Sequence, residues 1–495
     1  MSNILGLRNF IKSDTSSNLI AVYANDMAIF SGGTTFVGQG RNLSSAKMEM
    51  DVFVDTLVGV NGTNRNQVFD GSTWFNGGAK TRMPIASYIK TVGTKMYLAN
   101  LNYISTAFRS RVWFSDDEAA SNNELKWGYE TGTNLTQTAD SKVVKSANAG
   151  FKAYNIKSGD LFFITNGSNQ GLYHVDTVDS DQQITLVETL TATATGSTYW
   201  TGSSWFDVAT NDGDFIRGIG ENDNKLLIFK RESLYKYDTR EVKKVKGAPG
   251  TTSQRSVFNV REQTYYFHDT GVYRYDGIVS TLVSRPIQDW IEGIASTFYS
   301  SITTWADNDL LYMFVGDITN TPRNISITNG VLIFDTAAQS WDIGSLNDSV
   351  TVATVTVESD TRTIYLGTTG DKVLTFNSGN ADISAPIPFE AATIFHFPAK
   401  AYNIVEYDRV EVHTLDGRGV SVYYKLYGAS NIDNNWKSLG DINDDITEIP
   451  FPRGTYGRGI AYKFIESSTR KPLTITRIDT FYKPREGRNV VDGDQ

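Results

Sequence analysis

The hydrophobic pattern of this chain keeps returning to one short phrase, in which an aromatic or aliphatic pair is followed by Asp and a turn. Clear copies occupy residues 67–71, 235–238, 273–277 and 332–335, and weaker copies occupy 112–116 and 373–377. Alternating apolar residues that run into Asp-Gly or Asn-Gly are typical of a strand ending in a tight turn, because Asp, Asn and Gly tolerate positive φ. The pattern therefore predicts many short strands joined by turns.

The spacing of the phrase predicts how these strands are grouped. Asp238 and Asp276 are 38 residues apart, and Asp335 and Asn377 are 42 residues apart. A period of about 40 residues built from short strands is typical of a β-propeller with one four-stranded blade per repeat. Chance recurrence of Tyr-x-Tyr-Asp in a strand-rich chain is the alternative, but the copies also share the kind of segment that precedes them.

The segments before the Asp phrases are apolar on both sides. They lie at 225–229, 263–267, 310–314 and 363–366. Middle strands of a propeller have this character because neighbouring blades cover both of their faces. Candidate units lie at 18–46, 51–80, 86–118, 213–246, 255–284, 300–346 and 349–384. The first unit has the poorest pattern, which leaves open that it closes the ring with the last blade and is not a blade of its own.

Two segments interrupt the regular spacing of the predicted blades, and the longer segment predicts an inserted domain. Asp116 and Asp238 are 122 residues apart, too far for one repeat. Short apolar strands at 161–165, 171–175 and 183–187, joined by Gly-rich turns, predict a small β-barrel-like domain over 143–200. A docking or gating module and a merely decorative extension both remain open, since exposed loop tips tolerate either.

The shorter interruption predicts a helix. Pro286 stands at a first helical position, apolar residues follow at 287, 290, 291 and 294, and Gly293 ends the segment. We interpret it as a packing element that fills a groove between two blades with Trp290.

The predicted domain order is a propeller in two parts, 1–142 and 201–384, with the insertion at 143–200 between them. The residue pattern changes at Pro386 and Pro388. After them, apolar and polar residues alternate strictly in strands such as 405–412 and 420–427. Strict alternation indicates one buried and one wet face, so residues 385–484 are predicted to form a β-sandwich. Residues 485–495 form a polar tail. The fold class is thus all-β, with about six to seven blades, an inserted barrel and a C-terminal sandwich.

Composition narrows the class of protein. The 495 residues include no Cys, which excludes disulfides and thiolate metal sites and fits synthesis in a reducing cytoplasm. The opening residues carry no signal-peptide pattern, and no apolar stretch approaches the ~20 residues of a membrane span. The formal net charge of −9 argues against a protein that wraps nucleic acid.

The search for catalytic chemistry gives no candidate. The four His residues, at 174, 268, 396 and 413, lie in unrelated strand contexts without metal-site spacing. Residues 70–74 hint at the Asp-box of sialidase propellers, but Asp and Gly are adjacent where that box separates them, so a blade turn with a packed Trp is favoured. The carboxylate pairs at 116–117 and 444–445 stand in loop-like runs. We expect no enzyme activity, no cofactor and no metal site.

One basic cluster stands out in the acidic chain. It contains Arg240, Lys243, Lys244 and Lys246. A solvated strand-and-loop face is the default interpretation. A sharper hypothesis makes Lys243, Lys244 and Lys246 cations that face DNA phosphates.

The order of several phrases resembles a known family, the tail hub or nozzle proteins of short-tailed bacteriophages, also called packaged-DNA stabilization proteins. The resemblance runs from about residue 18 to residue 482 and rests on these segments: 219–220 with 226–228 and 235–237, 271–273 with the helix from Arg285, 331–335 with Trp341, and 459–464 before 473–475. The chain departs from the family in lacking a longer extended N-terminal lead and in carrying the 143–200 insertion.

The resemblance implies a virion tail protein made in the host cytoplasm, a propeller with a C-terminal sandwich that assembles as a homohexameric ring. The ring would lie below portal and adaptor, touch tail fibre or spike proteins, continue the channel for genomic double-stranded DNA, and hold the genome until ejection. Two other functions stay open: a virion-borne or secreted propeller that binds or cleaves glycan, and a generic intracellular scaffold, because fold alone does not fix function.

Overall fold

A computed structural model describes residues 3–31, 35–76, 83–103, 106–115, 127, 129–238, 240–322, 324–358, 361–376, 381–382, 385–386, 389–398, 403–415, 419–428, 435–466 and 474–484. The chain divides into two compact units, Met1–Phe376 and Asn377–Gln495. The carboxylate pair at 116–117, Pro388, Leu473 and the tail at 485–495 lie outside the described residues.

The first unit opens with two regular blades, each a sheet of four consecutive antiparallel strands. Their strands are β1 (Ile4–Ile11), β2 (Ser17–Tyr23), β3 (Asp26–Ser31), β4 (Thr35–Gly38), β5 (Glu49–Phe53), β6 (Thr56–Val60), β7 (Gln67–Phe69) and β8 (Trp74–Asn76). In each blade the first strand is innermost and the fourth is outermost.

The third blade is interrupted by the inserted domain. Its first three strands are β9 (Ile85–Val92), β10 (Lys95–Tyr103) and β11 (Thr106–Phe114). The insertion follows with β12 (Glu130–Gln137), β13 (Val143–Ser146), β14 (Leu161–Ile164), β15 (Gly171–Ser180), β16 (Gln183–Leu186) and β17 (Ala194–Thr201). The chain then returns to the blade with β18 (Trp205–Asp207), which pairs with β11.

The remaining blades are regular up to the last. Their strands are β19 (Gly218–Asn222), β20 (Lys225–Phe229), β21 (Leu234–Tyr237), β22 (Val242–Lys244), β23 (Phe258–Val260), β24 (Gln263–His268), β25 (Gly271–Tyr275), β26 (Ser280–Leu282), β27 (Thr303–Asp307), β28 (Leu310–Asn320), β29 (Ile325–Asp335), β30 (Ser340–Ser345), β31 (Val350–Glu358), β32 (Thr361–Thr368) and β33 (Val373–Phe376). The seventh blade has three strands within the described ranges.

The seven innermost strands form a closed ring. Each contacts the next in chain order, and β31 of the last blade packs against β1 of the first. The Thr351 hydroxyl donates to the carbonyl of Ile4 at 2.6 Å across this seam, and the Asn9 amide donates to Thr354 Oγ1 at 3.4 Å. We call the end at which the innermost strands begin the upper face, and the end at which they turn back the lower face. The propeller fold is thereby confirmed.

The structure of the first blade differs from the alternative that the sequence left open for residues 18–46. It is a complete four-stranded blade that begins at Ile4, not a fragment that joins the last one. Its innermost strand was missed because Gly6, Arg8 and Asn9 interrupt the apolar run. Burial of that strand comes from ring closure, which a local pattern does not display.

The two-sided apolar strands are explained by cores that lie between blades. Along β20, Leu226 and Ile228 pack toward blade 3, whereas Leu227 and Phe229 pack toward blade 5. Successive side chains of a strand point to opposite faces, so one strand supplies two cores. The same arrangement recurs at every blade boundary, including the boundary of blades 7 and 1.

The repeated Asp is a turn residue on the lower face. Asp276 accepts hydrogen bonds from the amides of Ile278 and Val279 through Oδ1, at 2.9 and 2.8 Å. The equivalent carboxylates in other blades make the same pair of contacts, namely those of Asp70, Asp238 and Asp335. A short acceptor at the strand end satisfies amides that the ladder leaves unpaired, which is why the phrase recurs.

The inserted domain is a closed barrel with the strand order β12-β13-β16-β15-β14-β17. It begins at Glu130, earlier than the 143 expected from the sequence, because β12 is a polar strand whose buried positions include Glu130 and Gln137. The core contains Phe151, Phe162 and Tyr199.

The predicted helix is present as a 3-10 turn at Arg285–Ile287 followed by α1 (Gln288–Ile291). Trp290 is 8% exposed and packs with residues of blades 5 and 6. Two other 3-10 turns, Gln254–Ser256 and Ser296–Ser301, precede β23 and β27 on the upper face. Among the described residues, none of the helices has the length and apolar content needed to cross a bilayer.

The second unit is the predicted sandwich. Its strands are β34 (Ala381–Asp382), β35 (Ala385–Pro386), β36 (Phe389–Ala392), β37 (Val405–Leu415), β38 (Val420–Tyr427), β39 (Lys437–Ile442), β40 (Ile446–Pro450), β41 (Tyr456–Gly457), β42 (Gly459–Glu466) and β43 (Thr474–Pro484). One sheet has the order β36-β42-β38-β39, and in the other β37 pairs with β40, β41 and β43. The two sheets share one core, which includes Val410, Val422 and Phe464.

Candidate functional site

The propeller axis holds a cavity that all seven innermost strands line. Its volume is about 320 Å³, and its wall includes Arg8, Asp51, Lys90, Glu221 and Arg255. A water molecule takes about 30 Å³ of liquid volume, so the cavity has room for roughly ten waters. It is a small chamber with a charged wall, partly open to solvent.

Arg255 bridges this chamber at its upper end. The residue comes from the 3-10 turn before β23, and its side chain reaches across the axis to blades 1, 2 and 7. Its guanidinium donates to Glu49 Oε1 at 2.9 Å and to the carbonyls of Thr351 at 2.7 Å, Leu5 at 2.6 Å and Met48 at 3.1 Å. Three of these acceptors are backbone carbonyls at the starts of other blades, so one planar fork ties four blades together.

A second ion pair lies lower in the chamber, between blades 1 and 2. Arg8 Nη2 donates to Asp51 Oδ1 at 2.6 Å. Asp51 is 5% exposed and also accepts the amide of Thr91 in blade 3 at 2.6 Å. Both arginines of the wall form ion pairs with carboxylates of other blades, so the chamber serves to join blades.

Lys47 stands at the upper mouth of the chamber, just before β5. Its Nζ donates to the carbonyl of Ser300, in front of blade 6, at 2.7 Å. The side chain keeps an exposed portion, yet burial among the atoms of the mouth lowers the pKa of Lys47 to about 8, helped by the charge of Arg255 and opposed by Glu49. An amine with this pKa is partly unprotonated near neutral pH.

The basic cluster predicted to face DNA lies far from this axis in the fold. Lys243 and Lys244 are exposed on β22, the outermost strand of blade 4, and Lys246 is exposed just after it. Lys243 forms an ion pair with Glu241, and this hydrogen bond raises the pKa of Lys243. Lysines on an outer strand also keep sheet edges from pairing. Contact with DNA stays a prediction.

Three of the four His residues lie beside carboxylates, each in a different domain or blade. His174 Nδ1 is 2.6 Å from Glu188 Oε1 in the barrel, and His268 Nδ1 is 2.9 Å from Asp269 Oδ1 in blade 5. Burial lowers the pKa of His268. These separate pairs do not converge on a common site.

The third His belongs to a group that sequence reasoning missed. His413 Nε2 lies 2.7 Å from Glu411 Oε1 and 3.7 Å from Asp479 Oδ2 in the sandwich. The signal was available only in part, because residues 411 and 413 share a strand face but Asp479 joins them through pairing of β43 with β37. Glu411, His413 and Asp479 are the three side chains of this group that could serve as metal ligands. Arg477 Nε lies 2.7 Å from Asp479 Oδ2, so the charge of one of the three is already compensated within the protein.

The Asp70–Trp74 segment is a blade turn. Asp70 Oδ1 accepts the amides of Ser72 and Thr73, and the Trp74 ring stacks on Phe69 with centroids 4.4 Å apart. The carboxylate is thus occupied by its own turn, which agrees with the interpretation made from the sequence.

Comparisons with known proteins add little. No family model matches the chain, and no curated protein matches it. BamB from Moraxella catarrhalis is 11% identical with a TM-score of 0.35, over 76% of this chain and 99% of that one. Virginiamycin B lyase from Staphylococcus aureus is 8% identical with a TM-score of 0.27, over 63% and 93%. The phage phi92 endosialidase is 9% identical with a TM-score of 0.22, over 95% and 68%. Likenesses at these scores carry no argument about function, so the family of this chain is left to a proposal.

Proposed function

We propose that this protein is a structural component of a bacteriophage tail, a hub or nozzle subunit that forms a ring and continues the DNA channel below portal and adaptor. The observation that carries the proposal is the succession, in one chain, of a seven-bladed propeller and a β-sandwich. This is the architecture that the resemblance in phrase order implies, and the phrases fall on equivalent blade strands, such as β21, β25 and β29.

The narrow axis supports a role as a wall element. Arg255 bridges the chamber from blade 5 to blades 1, 2 and 7, and the chamber volume is about 320 Å³. A DNA duplex does not pass through such a chamber. In the proposed ring the duplex passes between copies, and each propeller serves as a rigid block beside it.

The charge of the chain supports passage without tight binding. Six copies with a formal charge of −9 each would carry about −54. Duplex DNA carries one negative charge per ~1.7 Å, so an acidic lumen repels it from all sides and lets it slide. Retention of the genome then needs a local constriction or a few cations, for which Lys243, Lys244 and Lys246 are the proposed candidates.

The proposed partners are further copies of this chain, the adaptor above, fibre or spike proteins at the side, and genomic DNA in transit. Negative-stain imaging of the purified protein tests the proposal. We expect sixfold rings with a central hole. Monomers at all concentrations tested, or assemblies without a hole, contradict it.

The glycan-directed alternative is separated by an activity measurement. The proposed structural role predicts no release of reducing sugar from host capsule or lipopolysaccharide. Hydrolysis that disappears when a single Asp or Glu is replaced would favour the alternative over the ring.

A further inference from the structure

A second cavity opens on the upper face, beside the chamber but separate from it in its lining. Its volume is about 290 Å³, and it is lined by Arg217, Arg231, Thr252, Ser296, Tyr299 and Ser300. These residues come from blades 4 and 5 and from the 3-10 turn Ser296–Ser301 before blade 6. Lys47 reaches its rim, since Lys47 Nζ donates to the Ser300 carbonyl.

Arg217 is an incompletely satisfied cation in the wall of this cavity. Its Nε is buried and has no hydrogen-bond partner among the described residues. The guanidinium lies over the Phe215 ring at 3.8 Å from the centroid, which holds the fork in place without using its N–H groups. Because Nε is closed to solvent, a ligand in the cavity would meet the terminal Nη groups of Arg217, the part of the guanidinium left to line the wall.

The other arginine of the cavity is already compensated. Arg231 Nη2 donates to Asp269 Oδ2 at 2.9 Å, and Glu232 lies 3.3 Å away. Arg217 forms no ion pair in the described part of the chain. The site therefore presents the unpaired guanidinium of Arg217 beside the carboxylate of Asp269. A ligand with one negative charge is favoured over a dianion, because Asp269 repels the dianion more strongly.

The rest of the lining suits a hydroxylated ligand. Ser296 and Ser300 are exposed, and Thr252 Oγ1 donates to the Tyr299 carbonyl at 3.0 Å while its lone pairs stay open to a donor. The half-buried Tyr299 adds an aromatic wall, which packs against Phe267 with centroids 5.5 Å apart. A volume of about 290 Å³ lies just below the ~300–1,000 Å³ range of drug-sized ligand pockets, a size that fits one sugar-like molecule.

We propose that this cavity binds a hydroxylated monocarboxylate, the chemistry of a sugar acid. Arg217 takes the carboxylate, and the Ser, Thr and Tyr groups meet the hydroxyls. The inference does not depend on the proposed ring, because all of its residues lie within one propeller. The carboxylate has two possible sources, a free sugar acid or an acidic residue of a polysaccharide.

Isothermal titration calorimetry of the full chain tests the site, with sodium glucuronate as the probe and glucose as the uncharged match. We expect glucuronate to bind, glucose not to bind, and added salt to weaken the affinity. Arg217→Ala should weaken glucuronate at least tenfold, because a bidentate charge-assisted contact is lost. Tyr299→Phe should weaken it about threefold to tenfold, the effect of one neutral hydrogen bond.

Arg240→Ala is the matched control, since Arg240 is an exposed arginine of the same propeller on the lower face. It should leave glucuronate binding unchanged, and thermal unfolding should show that all three variants fold. A polyglucuronate oligosaccharide that binds more tightly than the monomer identifies a polysaccharide as the source, and equal affinity identifies the free acid. The proposal is overturned if glucuronate does not bind, if Arg217→Ala binds it as well as the wild type, or if acetate or inorganic phosphate binds more tightly than glucuronate.

Discussion

The propeller and the barrel inserted into it bury their apolar side chains in different ways. The barrel closes one sheet around one private core, which contains Phe151, Phe162 and Tyr199. The propeller has no core within a blade and instead places one between each pair of neighbouring blades, so that every strand of the ring is shared. A closed barrel has no edges, whereas a blade is stable only when its neighbours cover both faces.

The insertion combines both solutions in one strand. Along β14, Phe162 and Ile164 point into the barrel, while Leu161 and Phe163 join the core of blades 2 and 3 around Trp113. The outer residue Phe163 meets Trp200 with ring centroids 5.7 Å apart. The barrel is thus docked on the propeller and not merely tethered to it.

The largest expected effect tests the closed ring. Arg255→Met removes a fork that satisfies Glu49 and three carbonyls of other blades, and it leaves a mostly buried carboxylate unpaired. We expect the free energy of unfolding to fall by about 3–5 kcal/mol, measured by urea denaturation. The double variant with Glu49→Gln should recover part of this loss, since the stranded charge is then gone. A change below about 1 kcal/mol would mean that ring closure does not depend on this bridge.

The next prediction compares the two faces of β14. Phe162→Ala should cost about 3 kcal/mol, because Phe162 is fully buried in the private core of the barrel. Phe163→Ala should cost less, because Phe163 is only half-buried at the shared core. Urea denaturation followed by tryptophan fluorescence measures both. An equal cost for the two variants would break the distinction between private and shared cores.

A smaller effect concerns the Asp turns that only the propeller repeats. Two amide hydrogen bonds lower the pKa of Asp276 below the usual 3.8, chiefly the bond from Val279. A depressed folded-state pKa means stability that is present above pH 3.8 and lost as pH falls through the folded value. Asp276→Asn should destabilise the propeller by less than about 0.5 kcal/mol at pH 7, because solvent screens this exposed carboxylate, and the gap to the wild type should close toward pH 2.

The barrel supplies the control for this pH series. The carboxylate of Asp176 is exposed on β15 and accepts no hydrogen bond within the described ranges. Asp176→Asn should therefore leave stability at pH 7 unchanged. A pH-independent loss in Asp276→Asn would assign its effect to the turn geometry and not to the carboxylate charge.

The smallest effect is chemical and does not alter stability. Lys47, with its pKa of about 8, should react with an acylating reagent at pH 8 faster than a lysine amine of the ordinary pKa of 10.5, because more of its amine is unprotonated. Mass spectrometry of a brief labelling reaction at pH 7, 8 and 9 gives the midpoint. A midpoint near 10 would show that the mouth of the chamber does not shift this amine.

Local patterns predicted the propeller well because its repeat is carried by short-range chemistry. The Asp turn caps and the two-sided strands are properties of neighbouring residues, so their period was visible in the sequence. The sandwich was predictable for the same reason, since β37 and β38 alternate strictly over many positions.

The elements that were missed depend on distant contacts. Strand β1 is buried by the last blade, and β12 begins the barrel with a polar sequence whose burial depends on the partner strand β17. The chamber was missed because the partners of Arg255 are mostly backbone carbonyls, which leave no trace in residue types. Arg217 likewise carries no motif, since its position in the wall is set by the meeting of three blades.

The seam between β31 and β1 has a consequence for biosynthesis. The bond from Thr351 to Ile4 joins positions 347 apart, and among the described residues no strand is exchanged across the junction. At about 5–20 residues per second, a ribosome needs on the order of 20–70 s to make that intervening length. Throughout this interval Ile4, Leu7 and Ala21 lack the last blade, which covers them in the folded protein. The nascent protein thus carries an open apolar flank until late in translation, and a chaperone that shields this flank would raise the yield of folded chains.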